Sequence, residues 1–420
     1  MKALCISAIA SNQGKTILTS ALLYHFRASA RGFKIGPDYI DPQFHEFITN
    51  TPSINLDTFM MNESQVKWLY DKYSDKEISI CEGVMGFYDG MDKGSSAYDV
   101  SKLLNIPSII LLGASASYIT VAAVLKGLKL FRQDNTIKGV VLNNISSKGH
   151  YELVKDAILD EFDDIEVLGW LKKNLSSLSD THLGLDLKDI SKIEKISKEV
   201  LENIDIKKIE SLATYEKIHV EENYPFKKYE KIDKTLAIIK DENFSFIYHD
   251  NIEFLKEIFK KVVFINAIKD ESIPDECDVV YIPGGYVEDT KHYDTIKDSQ
   301  KFKNSLINHA KSKHIYAECA GLLYLGNKVD ENIMSGILDI DFTLEKRFAR
   351  MGYYHSTNGT KGHSFHYTKP LNLPKGVDIL SKIENGDEEY GAWQKDKVYG
   401  TYLHSMFRDQ FDIIGKYFNN

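Results

Sequence analysis

One cysteine of this chain stands where its thiol could attack a carbonyl carbon. The segment HIYAECAGLLYL places Cys319 between an apolar run predicted as the end of a strand and a predicted apolar-faced helix. A helix N-terminus lowers the pKa of a thiol at such a turn, and its backbone N–H groups, including that of Ala320, can bind an oxyanion. These features suit attack on an amide or ester. The structural alternative is a small buried core cysteine.

Two further segments supply the partners that such a nucleophile needs. The predicted strand DVVYIPGGY ends in Gly284 and Gly285, and paired glycines let backbone N–H groups approach a substrate oxygen closely. GTYLHSMF places His404 at the end of another predicted strand, where it could act as a general base. A lone histidine is more often a surface or core residue, but the combination of nucleophile, oxyanion donors and base favours catalysis.

A phosphate-binding loop is predicted near the N-terminus. The first predicted strand leads directly into ASNQGKTI, which contains Gly14, Lys15 and Thr16. In such a loop, backbone N–H groups surround the β-phosphate, the lysine reaches the β- and γ-phosphate oxygens, and the threonine hydroxyl ligates Mg²⁺. The full pattern has a glycine where this chain has Ile9, so the motif is incomplete. Its place between a strand and a helix still predicts nucleotide binding.

Four carboxylates follow in the same half of the chain. KIGPDYIDPQFH carries Asp38 and Asp41, and ISICEGVMGFYDG carries Glu82 directly after an apolar run and Asp89 at a glycine-flanked turn. Carboxylates that follow the strands of an open parallel sheet lie at the edge where ligands bind, beside the phosphate loop. Together with Thr16, Asp41 and Glu82 could hold Mg²⁺, and the set could orient a water or a polar acceptor. For each one alone, a turn or helix cap is the structural alternative.

The elements that would position these residues form an α/β protein of two domains. Residues 1–187 alternate short apolar runs with amphipathic stretches, which predicts a parallel sheet flanked by helices. The predicted strands of this domain are Leu4–Ala8, Ile78–Cys81, Ser108–Leu112, Lys138–Asn143 and Glu166–Leu168. The predicted helices between them are Thr16–Arg27, Glu63–Tyr73, Ala97–Leu104 and Tyr118–Phe131.

A second α/β domain is predicted over residues 235–420. Residues 188–234 are rich in lysine and glutamate, and we interpret them as an exposed helix followed by a linker. The predicted strands beyond the linker are Leu236–Ile239, Val262–Ile265, Val279–Ile282, His314–Ala317 and Val398–Tyr402.

The composition limits the classes of function. The 420 residues carry a formal net charge of −9 at pH 7, which argues against a general nucleic-acid or membrane-surface role. No run reaches the roughly 18 apolar residues of a membrane span. The four cysteines lie far apart without a C-x-x-C pair, so neither a zinc site nor a disulfide framework is expected. We expect a cytoplasmic enzyme.

Over nearly its whole length the chain resembles the cobyrinate a,c-diamide synthase family. The segments that carry the resemblance are KIGPDYIDPQFH, PSINLDTFM, EGVMGFYDG, KGVVLNNI, THLGLDL, DENFSFIYHDNIEFL, YIPGGYVED, YAECAGLLYL, GHSFHYT and GTYLH. The resemblance implies an N-terminal domain, similar to dethiobiotin synthetase, that binds ATP, Mg²⁺ and a tetrapyrrole and phosphorylates acetate carboxylates of the ring. It implies a C-terminal class I glutamine amidotransferase domain of flavodoxin-like fold. A homodimer stays open as the assembly of the chain.

The resemblance also assigns roles to single residues. Lys15 and Thr16 match the family's phosphate loop, and Cys319 and His404 match its glutaminase pair. The catalytic and substrate-positioning motifs of the family fall on Asp38, Tyr39, Ile40, Asp41, Glu82 and Asp89. Cobyrinate or a related tetrapyrrole, glutamine and ATP are therefore the expected small-molecule partners.

This chain departs from the family pattern at Ile9, where the phosphate loop usually has glycine, and at three further places, and several alternatives stay open. Ala320 stands where the family commonly has glycine, Gly113 where it usually has aspartate, and Met406 where many class I glutaminases carry a glutamate that orients the histidine. Nickel-sirohydrochlorin and hydrogenobyrinate are alternative substrates of the same chemistry. The related cobyric acid synthase lacks two of the matching segments in this form. A partitioning-type P-loop ATPase with an inactive glutaminase-like module is the non-enzyme alternative.

Overall fold

The computed structural model of this protein describes residues 2–173, 175, 180–181, 184–185, 190–215, 223–371, 375–383 and 385–419. Contacts between residues divide the chain into two compact units, Met1–Pro225 and Phe226–Asn420. Within the described part, no helix combines the length and the apolar character that a membrane span requires.

The first unit is built on a seven-stranded sheet in the order β3-β2-β4-β1-β5-β6-β7, and every pairing in it is parallel. Its strands are β1 Lys2–Ala8, β2 Ala30–Ile35, β3 Ile54–Leu56, β4 Ile78–Gly83, β5 Ser108–Gly113, β6 Ile137–Ile145 and β7 Glu166–Lys172, followed by a two-stranded ribbon of β8 Asp180–Thr181 and β9 Gly184–Leu185. Its helices are α1 Lys15–His25, α2 Ile40–Thr49, α3 Glu63–Tyr73, α4 Ala97–Leu103, α5 Ile119–Phe131, α6 Lys148–Leu159, α7 Ile190–Leu201 and α8 Ile206–Leu212.

The central strands of this sheet read as nearly continuous apolar runs because helices cover both of its faces. Strands β4 and β5, for example, read ISICEG and SIILLG, and every residue but the last of β5 is buried. The carboxyl ends of β1, β2 and β4 meet at one edge, which is where the predicted loop and carboxylates follow their strands.

The charged segment 188–234 differs from its prediction. Helix α7 was expected to be exposed, but Ile193, Ile196 and Val200 are buried in the core of the first unit, where α7 packs against α1. The three residues recur at helical spacing, so one face is apolar although the composition is dominated by charge. A further helix, α8, follows, and residues 188–189 and 216–222 lie outside the described part.

The second unit contains a nine-stranded sheet in the order β11-β10-β12-β13-β22-β21-β20-β17-β18 and a four-stranded sheet β15-β14-β16-β19. The strands are β10 Ile232–Ile239, β11 Phe259–Ile265, β12 Val279–Ile282, β13 His314–Glu318, β14 Lys328–Val329, β15 Asn332–Ile333, β16 Asp341–Leu344, β17 Arg350–Ser356, β18 Lys361–His366, β19 Thr368–Pro370, β20 Asp378–Lys382, β21 Glu388–Lys395 and β22 Val398–Thr401. The helices are α9 His249–Ile258, α10 Thr290–Ile296, α11 Gln300–Ala310, α12 Ala320–Leu325, α13 Phe407–Ile414 and α14 Lys416–Asn419.

The first five strands of the large sheet are parallel and follow the flavodoxin-like order. Alternate residues of these strands enter two different cores. Val280 and Ile282 of β12 belong to one cluster, whereas Val279 and Tyr281 belong to the other. The predicted α/β fold class, a parallel P-loop-type sheet together with a flavodoxin-like unit, is therefore confirmed.

Candidate active sites

Cys319, His404 and Gly284 lie at one edge of the second unit. Strands β12, β13 and β22 are neighbours in register, with Ile282 beside Ala317 and Glu318 beside Thr401. Because the three strands are parallel, the residues that follow them emerge side by side at their carboxyl ends. The structure thus brings the predicted nucleophile, base and glycine pair to the same place.

The backbone of Cys319 is held in an uncommon conformation. Its φ is +46° and its ψ is −105°, and it forms the N-terminal cap of α12. The Cys319 N–H donates to the carbonyl oxygen of Thr401 at 2.8 Å. A Cβ on Gly321 would lie 2.4 Å from the carbonyl oxygen of Ile282, so only glycine lets α12 start this close to β12. A non-glycine residue at positive φ is a strained position of the kind that clusters at functional sites.

The expected lowering of the Cys319 pKa is wrong in this structure. The side chain is 6% exposed, and burial raises the pKa of the thiol well above its ordinary value. A hydrogen bond from the Ala320 backbone lowers the pKa only in part, while the nearby Glu288 carboxylate raises it. The resting group is therefore a thiol, and attack requires a base to take its proton.

His404 is buried and enclosed on several sides. Its ring stacks on that of His363 with the centroids 5.1 Å apart. A Cβ on Gly284 would lie 2.3 Å from His404 Cε1, so the missing side chain makes room for the imidazole. Gly285 has a φ of +148°, and a Cβ there would lie 1.9 Å from the carbonyl oxygen of Asn243. Gly284 therefore makes room for His404 and Gly285 for the backbone of Asn243, and the use of the two glycines as oxyanion donors stays a prediction.

Sequence reasoning missed Glu318, which directly precedes the cysteine. Its Oε2 lies 3.3 Å from His404 Nδ1, and it accepts hydrogen bonds from the hydroxyls of Tyr281 at 2.9 Å and Tyr316 at 3.3 Å. Met406 occupies the position of the usual carboxylate and is a buried apolar side chain. The signal was present in the pair Glu318-Cys319, but nothing local shows that the carboxylate turns toward a histidine 86 residues further along.

The predicted phosphate loop joins β1 to α1 in the first unit. Gly14 caps α1 with a φ of +91°, and a Cβ there would lie 3.1 Å from Asn143 Nδ2. Asn143 lies on β6, and its side-chain amide donates to the carbonyl oxygen of Gln13 at 2.7 Å, which fixes the loop. Lys15 donates to the carbonyl oxygen of Ala10 at 3.0 Å, and burial lowers its pKa. No side-chain hydrogen bond caps the helix, so its first N–H groups are available to phosphate oxygens.

A cluster of charges lies beside this loop. The Thr16 hydroxyl is 2.8 Å from Glu82 Oε1 and 3.4 Å from Asp41 Oδ2. The ammonium of Lys34, on β2, pairs with Asp41, with Glu82 at 3.2 Å and with Asp38 at 3.6 Å. Lys34, which sequence reasoning missed, therefore joins three predicted carboxylates, and two of these also contact the loop threonine.

The pKa values in this cluster diverge. Burial raises the pKa of Asp41 to about 7. The carboxylates of Glu82 and Asp38 raise this pKa further, and the ammonium of Lys34 lowers it only in part. Burial opposes ionisation of Glu82 too, but Lys34, His45 and Thr16 hold the pKa of this carboxyl well below its ordinary value. Burial likewise opposes the charge on Lys34, and Asp41, Glu82 and Asp38 together raise its pKa. Lys34 and Glu82 are thus a charged pair, with Asp41 as the group that changes protonation most easily.

His45 is the second missed residue of this site. Its Nε2 lies 3.0 Å from Glu82 Oε2 and its Nδ1 3.0 Å from Ser53 Oγ, and the ring is fully buried. A Cβ on Gly32 would lie 2.8 Å from the Cβ of His45, so the glycine in β2 allows α2 to come this close. His45 fixes one oxygen of Glu82 and leaves the other to Thr16 and Lys34.

The remaining predicted residues lie around this cluster. Asp38 Oδ1 accepts the backbone N–H groups of Ile40 and Asp41 at 2.8 and 3.1 Å, which starts α2, and Tyr39 is the buried residue before that helix. Asp89 is exposed and accepts the Gly86 N–H at 2.9 Å, so it closes its own turn.

The donor set of this site fits Mg²⁺ in its chemistry. Thr16, Asp41 and Glu82 offer hydroxyl and carboxylate oxygens, the ligands that Mg²⁺ prefers. Among the described residues no group of three or more His, Cys, Asp or Glu side chains is arranged to hold a metal ion. A magnesium ion here would need phosphate oxygens and water as its other ligands, and the metal stays a prediction.

Comparisons with known proteins match both units. Residues 235–411 match the family model of the CobB/CobQ-like glutamine amidotransferase domain. A cobyrinate a,c-diamide synthase of Fusobacterium nucleatum is 34% identical, with 100% of both chains covered. That of Saccharolobus solfataricus is 36% identical over 97% of this chain and 98% of its own, and that of Methanocaldococcus jannaschii 34% identical over 96% of each.

Proposed function

Since this chain belongs to the cobyrinate a,c-diamide synthase family of amidotransferase ligases, we propose that it converts the a and c acetate carboxylates of cobyrinate into amides, using ATP and glutamine. The observation that carries the proposal is the presence in one chain of two different sites. One is a phosphate loop beside a carboxylate cluster, and the other is a buried cysteine and histidine at the edge of a second sheet. Amide formation from a carboxylate needs an activating group and a nitrogen source, and each site would supply one.

The first unit would activate the carboxylate. A substrate carboxylate oxygen attacks the γ-phosphorus of ATP, and the bond between that phosphorus and the bridging β-phosphate oxygen breaks. The products are ADP and an acyl phosphate of the substrate. The N–H groups that begin α1, with Lys15, would bind the phosphates, and Lys34 would hold Asp41 and Glu82 in place. Mg²⁺ held by Thr16, Asp41 and Glu82 would neutralise phosphate charge. Ammonia then attacks the acyl carbon and phosphate leaves.

The second unit would release the ammonia. Cys319 Sγ attacks the carboxamide carbon of glutamine while His404 takes the thiol proton, and that proton is returned to the nitrogen as ammonia departs. Water then hydrolyses the thioester to glutamate and frees the thiol. Because burial keeps Cys319 protonated at rest, the proton transfer to His404 has to accompany the attack.

The relatives' names favour cobyrinate among the possible tetrapyrroles, and no described residue favours nickel-sirohydrochlorin or hydrogenobyrinate instead. A partitioning-type ATPase would need neither the strained cysteine nor the histidine seated on Gly284. The ligase is therefore the function that these residues support best.

The test is an assay with ATP and glutamine across cobyrinate, hydrogenobyrinate and nickel-sirohydrochlorin, with mass detection of one or two amidations. We expect two amidations of cobyrinate. Turnover of another ring alone would overturn the substrate assignment, and no ATP-dependent amidation of any ring would overturn the proposal. Asp41→Asn should lose synthesis with glutamine and with ammonia alike, since both depend on the first unit.

A further inference from the structure

We propose that Glu318 is the positioning residue that orients His404, in the role that a glutamate at the position of Met406 has in many class I glutaminases; this assignment rests on the proposed glutaminase function. The three relevant side chains, those of Glu318, His404 and Met406, are almost completely buried. An imidazole that acts as a base needs one nitrogen aimed at the nucleophile and the other fixed by a hydrogen bond. The position two residues after His404 offers only a thioether.

The distance and the chain geometry support this pairing. Glu318 Oε2 lies 3.3 Å from His404 Nδ1, within reach of a hydrogen bond. Glu318 ends β13, Cys319 follows at once, and His404 follows the neighbouring strand β22, so the carboxylate, the thiol and the ring converge at one edge. A proton on Nδ1 that is donated to Glu318 leaves Nε2 as the basic nitrogen.

Two tyrosines fix the position of the carboxylate by donating hydrogen bonds to it. Tyr281 donates to Oε2 at 2.9 Å and Tyr316 to Oε1 at 3.3 Å, and the two tyrosines are register partners on β12 and β13. Burial and the charge of Glu318 raise the pKa of both hydroxyls, which are therefore donors at every working pH. With His404, the carboxylate has three partners, which compensates for burying its charge.

The pairing has a chemical consequence during attack on glutamine. As the Sγ–H bond breaks, the proton moves to Nε2 and the ring becomes an imidazolium, while the proton on Nδ1 stays there. The positive charge then lies beside the Glu318 carboxylate in a site with little water, where opposite charges attract more strongly than in bulk solvent. Glu318 stabilises the charged ring without taking a proton itself.

The alternative role for Glu318 is purely structural, as an acceptor for two buried hydroxyls. The variants Glu318→Gln and Tyr281→Phe/Tyr316→Phe separate the two roles. The first keeps the size of the side chain and removes its charge. The second removes the hydroxyls and keeps the carboxylate beside His404. Glutamate release gives kcat and KM for glutamine, and synthesis with ammonium chloride reports on the first unit.

We expect Glu318→Gln to lower kcat for glutamine hydrolysis by at least about 100-fold, the usual scale of an acid–base contribution. KM for glutamine should stay within about 3-fold, because Glu318 contacts the base and not the substrate. In the double variant Tyr281→Phe/Tyr316→Phe, kcat for glutamine hydrolysis should stay within about 10-fold of the wild-type value. Glu318→Asp, which keeps a carboxylate on a shorter side chain, should lie between wild type and Glu318→Gln.

Wild-type kcat in Glu318→Gln would overturn the assignment, and so would an equal loss in the double tyrosine variant. If Glu318→Gln fails to fold, the order of kcat among wild type, Glu318→Asp and the double tyrosine variant decides the question, and an aspartate variant at least as active as wild type would contradict the proposal. A wild-type enzyme that releases no glutamate would overturn the proposed function itself, and this assignment with it.

Discussion

Lys34 shows how much of the first site depends on one buried charge. Its ammonium is 1% exposed and contacts Asp38, Asp41 and Glu82, while His45 holds the far oxygen of Glu82. Without it, the buried carboxylate of Glu82 and the half-buried one of Asp41 would lie side by side with no ammonium between them. A buried charge is costly unless it is paired, so this lysine stabilises both the fold and the geometry of the site.

Lys34→Met should destabilise the first unit by about 3 kcal/mol, because removing one member of a buried ionic group leaves the others uncompensated. It should also abolish synthesis with either nitrogen source. Urea unfolding followed by circular dichroism, together with the ammonia-dependent assay, would measure both effects. Lys126→Met is the matched control, since Lys126 pairs with Glu161 on the surface. Unchanged stability and activity in Lys34→Met would contradict the account of this cluster.

At the residue level, the sequence predicts which side chains could do chemistry but not all of their partners. Thr16, Asp41 and Glu82 were named as one set, and the structure has them in hydrogen-bond contact. Lys34 and Glu318 were missed because their partners lie on other strands. A carboxylate beside a cysteine, or a lysine in a strand, carries no local sign of where its side chain turns.

Among the elements, the apolar runs were predictable and the polar strands were not. Val279–Ile282 was predicted with the observed bounds of β12, because a short run of β-branched and aromatic residues is typical of a buried strand. Strand β2 was not predicted, since Arg31 and Lys34 interrupt its apolar pattern. Both charges are buried and paired, Arg31 with Asp75 and Lys34 in the cluster. The antiparallel strands β17 to β21 were also missed.

The loop after β12 contains Gly284, whose lack of a side chain can be tested by substitution. Gly284→Ala would place a Cβ 2.3 Å from His404 Cε1, so the imidazole has to move. We expect kcat for glutamine hydrolysis to fall by about 100-fold or more, because small displacements of a catalytic group are costly. Ammonia-dependent synthesis should persist. Gly127→Ala is the control, since a Cβ there meets nothing within 4 Å and alanine favours the helix. Wild-type glutaminase activity in Gly284→Ala would contradict the seat assigned to His404.

For the whole molecule, the burial of histidines makes stability depend on pH. Burial lowers the pKa of His309 to about 4 and lowers those of His363 and His366, all in the second unit. The unfolded chain binds a proton on each below about pH 6.5, whereas the folded chain does not until a lower pH. Stability from these groups is therefore complete above pH 6.5 and is lost as the pH falls toward 4.

His309→Gln should reduce this acid sensitivity. His309 Nε2 lies 3.2 Å from the carbonyl oxygen of His314, and a glutamine amide can donate the same hydrogen bond without titrating. Between pH 7.5 and pH 5.5 the free energy of unfolding of the wild-type second unit should fall by about 1 kcal/mol more than that of the variant. Urea titrations at the two pH values measure the difference. An equal fall in both proteins would show that His309 is not buried in its neutral form.

In the proposed function, glutamine hydrolysis and ATP-dependent amidation are separate activities of one chain, joined by ammonia. Cys319→Ala tests it most directly. The variant is assayed for diamide formation from cobyrinate and ATP, once with glutamine and once with ammonium chloride, with product detected by mass. We expect no amidation with glutamine and wild-type amidation with ammonium chloride. If Cys319→Ala still amidates cobyrinate with glutamine, or if it fails with ammonium chloride while the wild type succeeds, the two activities are not separate in this way.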